Sequence, residues 1–397
     1  MFSRRIFLRG KLGATFLGVS VNGKQAIGAK PSRDFFQDLG VHGFINAAEP
    51  FTALSGSQMP PEVVEAWEYA CTRNVRLDEL HDAVGKRIAN LIGCEAAMVT
   101  AGAASALTLA TAACLTGLDR EKVRRLPDTT GMKQEVIIQK SHRYGYDHAV
   151  RNCGIRYVEV ETADQLKAAV SDRTAMLHFF NTNEPVGRIK AEEFAALGKR
   201  RGVPTLNDIA ADVPPLSNLS RSIQLGFDLV AVSGGKGLLG PQSCGLLYGR
   251  ADLIRAARLN GPPNSDSIGR GQKVNKEEML AMMVTLELYF KRNHAADWRE
   301  WEKRVNIIRD RVSAIRGVTS EMFVPEIHYR VPHVRIRWDQ GAIPFSVPEM
   351  IRKLRDGQPS IEVRPNTENG LEMGVWMLKP GETEIVARRV HEILKGG

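Results

Sequence analysis

The segment Val232-Ser233-Gly234-Gly235-Lys236-Gly237-Leu238-Leu239-Gly240-Pro241-Gln242 follows an apolar run and surrounds one lysine with glycines. A solvated surface charge needs no such close backbone approach, which is what glycine permits. Burial lowers a lysine's pKa and frees its neutral amine for Schiff-base chemistry. A Walker-type phosphate loop is excluded, because the GxxxxGK[ST] spacing is missing.

Short apolar runs alternate with helical patterns from about residue 96. Strands are expected at Ala96–Thr100, Val136–Gln139, Tyr157–Val160, Ala175–Phe180, Pro204–Asn207, Leu229–Ser233 and Gly245–Tyr248. Most of these runs lack polar alternation, as befits strands buried on both faces. Helices are expected at Ser105–Leu115, Ala163–Val170 and Ala191–Arg200. The fold class is therefore α/β, with a mostly parallel sheet covered by helices.

Beyond Gly261-Pro262-Pro263 the pattern changes. A long helical stretch from Lys276 to about Arg316 precedes strands near Val334–Trp338 and Ile361–Val363, then a last helix from Thr383. These features predict a smaller C-terminal α+β domain. The expected division is an N-terminal arm and large domain over residues 30–265, and a long helix with the small domain over residues 266–397.

Two other segments join the lysine. In Val99-Thr100-Ala101-Gly102-Ala103-Ala104-Ser105 a strand gives way to a helix through small residues, and unobstructed amides at a helix start suit a phosphate. In Leu206-Asn207-Asp208-Ile209-Ala210-Ala211-Asp212 an acid stands at the carboxyl end of a buried strand, the edge where α/β sheets bind ligands. Taken singly, small residues also serve ordinary helix–strand packing, and an acid such as Asp208 is more often a helix cap than a cofactor partner. Taken together, with Lys236 28 residues after Asp208, they resemble a fold-type I pyridoxal-5′-phosphate (PLP) enzyme. PLP needs an amine for its aldehyde, an anion site for its phosphate and a carboxylate for its pyridine nitrogen.

The resemblance narrows with Ile45-Asn46-Ala47, Met59-Pro60-Pro61-Glu62-Val63, Gly93-Cys94-Glu95-Ala96-Ala97, the lysine segment, and Ile268-Gly269-Arg270-Gly271-Gln272-Lys273-Val274-Asn275-Lys276-Glu277. These are similar to the selenocysteine-synthase-like family, which includes seryl-tRNA selenium transferase and glucosaminate-phosphate ammonia-lyase. The similarity covers roughly residues 35–395.

The resemblance implies Lys236 as the Schiff-base lysine and Asp208 as partner of the pyridine nitrogen. It implies Gly102, Ala103 and Ser233 as phosphate ligands and His142 as the residue stacked on the ring. Arg364 would hold a substrate carboxylate, and Arg270 would reach a neighbouring subunit's phosphate in a homodimer or larger homo-oligomer. The bland alternatives are a surface histidine at 142 and a surface-strand arginine at 364. The stretch Ala48-Glu49-Pro50 to Ser55 departs from the family pattern beside the expected substrate pocket, and Glu49 there reads as a substrate contact or a turn carboxylate, with the turn preferred.

The implied activity is lyase or transferase chemistry on a small amino-acid-like substrate, an amino acid or amino-sugar acid, with α,β-elimination preferred. Racemisation and transamination would begin with the same proton abstraction. The alternatives are a seryl-tRNA selenium transferase-like enzyme and a catalytically inactive binding protein that kept the fold.

Composition sets the outer bounds. With 397 residues, 43% hydrophobic and 25% charged, the chain matches ordinary globular proteins. No run reaches the ~20 apolar residues of a spanning helix, so no membrane partner is expected once a signal is removed. Cys71, Cys94, Cys114, Cys153 and Cys244 lie far apart with no metal-binding spacing, so neither a disulfide framework nor a metal site is indicated. The net charge of +9 falls to +4 for residues 30–397, without an aromatic-interleaved basic stripe, and no nucleic-acid partner is indicated.

Most of the excess positive charge lies in residues 1–29, where Ser3-Arg4-Arg5-Ile6-Phe7-Leu8-Arg9 precedes a short apolar stretch to Val21. This reads as a signal peptide, and the paired arginines resemble a twin-arginine export signal. A periplasmic location is expected, or a cytoplasmic one if the signal does not function. Export would favour an unphosphorylated substrate.

Overall fold

The computed structural model describes residues 33–366 and 370–396; the expected signal peptide lies outside them. Seven strands form the large sheet, in the order 96–100, 245–249, 229–233, 205–208, 174–180, 135–139 and 156–160. Each coincides with an expected strand to within a residue or two. All run parallel except Gly245–Gly249, which is antiparallel to both neighbours.

Alternate residues of these strands enter different cores. Val99, Val230, Val232, Leu246 and Tyr248 join one cluster with helices Leu77–Ile92, Ala191–Arg201 and Lys276–Lys291. Met98, Leu229, Ala231 and Leu247 join another with helix Gly102–Thr116. Both faces of the sheet are therefore dry, which is why the strands read as unbroken apolar runs.

A four-stranded antiparallel sheet, ordered 364–366, 370–374, 333–338 and 318–323, builds the C-terminal part with helices His294–Val312, Val347–Arg355 and Glu382–Lys395. The expected long helix is two helices. Asn293 interrupts it and caps the second, its side chain accepting the Ala296 N–H at 3.0 Å. The first half, Lys276–Lys291, packs with the large sheet, whereas the second packs with the small one.

The arm crosses in the other direction. Phe44–Asn46 pairs in parallel with Ser360–Glu362, and Ile45 and Ala47 enter the small core. Farther along the arm, the Ser57 N–H donates to the Gly235 carbonyl at 3.1 Å. The segment 49–57 therefore runs from the small core to the lysine loop.

Candidate active site

Thr100, Gln139, Phe180, Asp208 and Ser233 end their strands at one edge of the large sheet. This is the carboxyl edge, where the helices that follow point their first turns. Lys236 lies in the connection between Ser233 and Gly245, the paired ends of two antiparallel strands.

Close backbone approach accounts for the glycines around that lysine. A Cβ on Gly235 would stand 2.2 Å from Gln242 Cα, and one on Gly237 would stand 1.9 Å from the Val213 carbonyl oxygen. Leu239 takes φ 65°, a left-handed conformation that a non-glycine residue adopts at a cost. The loop is packed from several sides, and it carries Lys236 to a largely buried position.

Lys236 makes no hydrogen bond or ion pair among the described residues. Burial pushes its pKa down, against the opposing pull of Asp208 and Asp212. Asp208 is buried, and burial pushes its carboxyl up, with hydrogen bonds from Tyr144 and the Ala210 N–H working the other way. The Ala210 contact is 2.9 Å, to Oδ1. No cationic side chain of the described residues lies within ion-pair distance of Asp208.

Gly245 brings the expected phosphate residues together. It pairs with Thr100 on one side and Ser233 on the other. A Cβ there would stand 2.4 Å from Gly102 C and 2.6 Å from Ala103 N, so only glycine lets the helix start lie on the sheet. No side chain caps the first turn of that helix. Its free amide donors and positive dipole end make a site for an anion.

Arg270 is carried to the same helix by its own segment. Gln272 accepts the Ser105 hydroxyl at 2.7 Å, and Gly269 packs against Leu109. The Arg270 guanidinium has no partner among the described residues.

His142 differs from expectation. Its ring is 0% exposed, enclosed by Gln139, Phe179 and Gly187. Nδ1 accepts the Phe180 N–H at 3.2 Å, Nε2 lies 3.1 Å from Gln139 Nε2, and burial lowers its pKa to about 4. No face of the ring is open for stacking in this structure. The aromatic beside Asp208 is Tyr144, which donates its phenolic hydrogen to Oδ2 and stacks on Phe180 at 3.9 Å. Both rings come from Lys140-Ser141-His142-Arg143-Tyr144, where sequence alone offered no signal to prefer the phenol.

Glu49 is not a turn carboxylate. It is 0% exposed, bonded through Oε1 to His333 Nε2 and through Oε2 to Trp376 Nε1 at 3.2 Å. Sequence reasoning missed both partners, which lie in the small domain.

Arg364 opens an edge strand of the small sheet, 36% exposed, with Glu49 and Glu372 each 3.8 Å away. Among the described residues it reaches segment 49–57 at Glu49 and at the Phe51 ring, 6.0 Å from the guanidinium carbon. The Tyr329 N–H donates to the Ala211 carbonyl at 3.3 Å, tying the segment before strand His333–Trp338 to the loop after Asp208, beside Asp212. A solvent-connected cleft lined by Asp212, Asn181, Arg221, His328 and Arg330 opens there.

The strand order, the lysine between antiparallel strands and the acid at a parallel strand end are those of the fold-type I PLP-dependent enzymes. A serine palmitoyltransferase solved with a PLP internal aldimine aligns over 89% of this chain and 88% of its own, with TM-score 0.53 at 14% identity. The chain belongs to the L-seryl-tRNA selenium transferase family, whose model matches residues 62–316.

Among individual relatives, the D-glucosaminate-6-phosphate ammonia lyase of Salmonella typhimurium is 27% identical, over 91% of this chain and 98% of its own length. The solved structure of such an ammonia-lyase has TM-score 0.81 at 25% identity, covering 92% of this chain and 99% of that one. A 5′-C-glycyluridine monooxygenase-decarboxylase from a Streptomyces species is 29% identical, over 90% and 92% of the two chains.

Proposed function

We propose that the chain binds PLP through Lys236 and catalyses α,β-elimination on an amino acid or amino-sugar acid, releasing ammonia. The observation that carries this reading is the pairing of a largely buried, unpartnered lysine with a buried carboxylate that lacks a cation. The residues fit the cofactor. A protonated pyridine nitrogen would supply the missing countercharge to Asp208, and the uncapped helix at Gly102 and Ala103, with Ser233, would hold the phosphate. Tyr144 would keep Asp208 ionised by its hydrogen bond, and Arg270 would meet a phosphate across a homodimer interface.

PLP, when bound, supplies a ring that accepts the electron pair released at the substrate's α-carbon. Lys236 Nζ then takes the α-proton, a role that suits an amine whose pKa burial has lowered. Arg364 binds the substrate carboxylate from the small domain and orients that carbon. The packed lysine loop excludes bulk water from the amine.

The preference for elimination draws support from the near-complete overlap with the ammonia lyase. We further propose export by the twin-arginine route, which suits a protein folded around its cofactor before transport.

The test is borohydride reduction of the yellow protein followed by peptide mapping. The pyridoxyl group is expected on Lys236 and absent from Lys236→Ala. Holoenzyme is then screened for ammonia release from D- and L-amino acids and aminosugar acids. No adduct at residue 236 would overturn the assignment, and a pyridoxyl enzyme that turns over substrate without ammonia release would overturn elimination.

A further inference from the structure

Arg364 ends a row of alternating charges that the small sheet's register lines up across its four strands: Glu321, Arg335, Glu372, Arg364. Arg335 grips Glu372 Oε1 through Nε at 2.9 Å and Nη2 at 2.8 Å, and reaches Glu321 through Nη1 at 2.9 Å. Glu372 is thus neutralised before Arg364 meets it. The Arg364 guanidinium lies 3.8 Å from Glu372 Oε2 and from Glu49 Oε1, close enough for attraction and too far for a hydrogen bond. None of its N–H groups has an acceptor among the described residues.

Glu49 is the other carboxylate, and its charge has to be accounted for too. His333 Nδ1 lies 2.7 Å from the Val331 carbonyl oxygen, which can only accept, so Nδ1 carries a hydrogen. The contact between Nε2 and Glu49 Oε1 then holds one further proton, on whichever atom it resides. The Glu49–His333 pair is therefore neutral as a unit, and both side chains are fully buried. A bare Glu49 anion would instead draw Arg364 inward and repel an incoming carboxylate.

We propose that His333 is a positioning residue for substrate binding. By neutralising Glu49, it keeps Arg364 free to hold the substrate's carboxylate. The proposal rests on the reading that Arg364 binds that carboxylate. It assigns a role to a buried pair that packing alone leaves unexplained, since an apolar pair would fill the same space without a charge to compensate.

The test uses PLP-loaded enzyme and the amino acid that releases most ammonia in the screen, alongside that compound's primary amide. Half-saturation is read from the visible absorbance change. His333→Gln is expected to raise it at least tenfold for the acid while leaving the amide within twofold. Adding Glu49→Gln in the same chain is expected to return the acid to within threefold of the parent. Borohydride labelling of Lys236 checks that each variant folds, and Trp376→Phe, which removes the other donor to Glu49, should shift the acid in the same direction by less.

An unchanged acid value in His333→Gln, equal shifts for acid and amide, or no recovery in the double variant would overturn the proposal. Absence of the Lys236 adduct in the parent enzyme would instead remove the reading beneath it.

Discussion

Tyr144 and Asp208 meet at the strand edge, where the phenol donates a hydrogen bond to carboxylate Oδ2. That contact and the Ala210 N–H oppose the rise in pKa that burial imposes on Asp208. It is the feature most directly exposed to a one-atom test.

Tyr144→Phe keeps the stack on Phe180 and removes the donor. A hydrogen bond to a charged group contributes about 1.5–3 kcal/mol. PLP affinity, measured by equilibrium dialysis of the apoprotein, is expected to fall about tenfold or more, because a less ionised Asp208 holds a pyridine nitrogen less well. Unaltered affinity would show that Tyr144 plays no part in holding the cofactor.

Gly245→Ala addresses the phosphate residues. The added Cβ would meet Gly102 and Ala103 backbone atoms well inside van der Waals contact and lift the helix start from the sheet. Overpacking of this kind costs about 1–3 kcal/mol. The variant should lose its preference for PLP over unphosphorylated pyridoxal, and competition between the two in fluorescence titration measures that preference.

Acid sensitivity follows from three buried rings. Burial lowers His81 and His142 to about 4 and His178 to about 3. As pH falls below 6.5 the unfolded chain takes up protons that the folded chain refuses, so stability drops through that window, by about 1.4 kcal/mol per pH unit for each group. His178→Gln should flatten the loss of chemical-denaturation stability between pH 6 and pH 4. An identical slope in the variant would exclude the ring as a contributor.

Export makes a prediction about the N-terminus. Replacing Arg4 and Arg5 together by lysine is expected to leave the full-length product in the cytoplasm, whereas the parent reaches the periplasm. Fractionation that finds both in the cytoplasm would refute the signal.

Legibility differed between the two sheets. The inner strands of the large sheet are dry on both faces, so runs such as Leu229–Ser233 stand out as apolar. Val318–Phe323 alternates between half-buried and exposed at the edge of the small sheet, and no such signal marked it. Lys236 and Asp208 were legible because glycines and a strand end frame them. Glu49 was not, since His333 and Trp376 lie hundreds of positions away and no local pattern records a cross-domain bond. His142 and Tyr144 show a similar limit, because a backbone turn decided which ring adjoins Asp208. The break at Asn293 was readable in principle, as a capping residue inside a helical run.

The parallel pairing of Ile45 with Ile361 has a consequence for biosynthesis. The ribosome delivers one strand of this seam about three hundred residues before the other. A nascent polypeptide therefore cannot seal the strap that braces the lysine turn until residues 360–362 have left the ribosome.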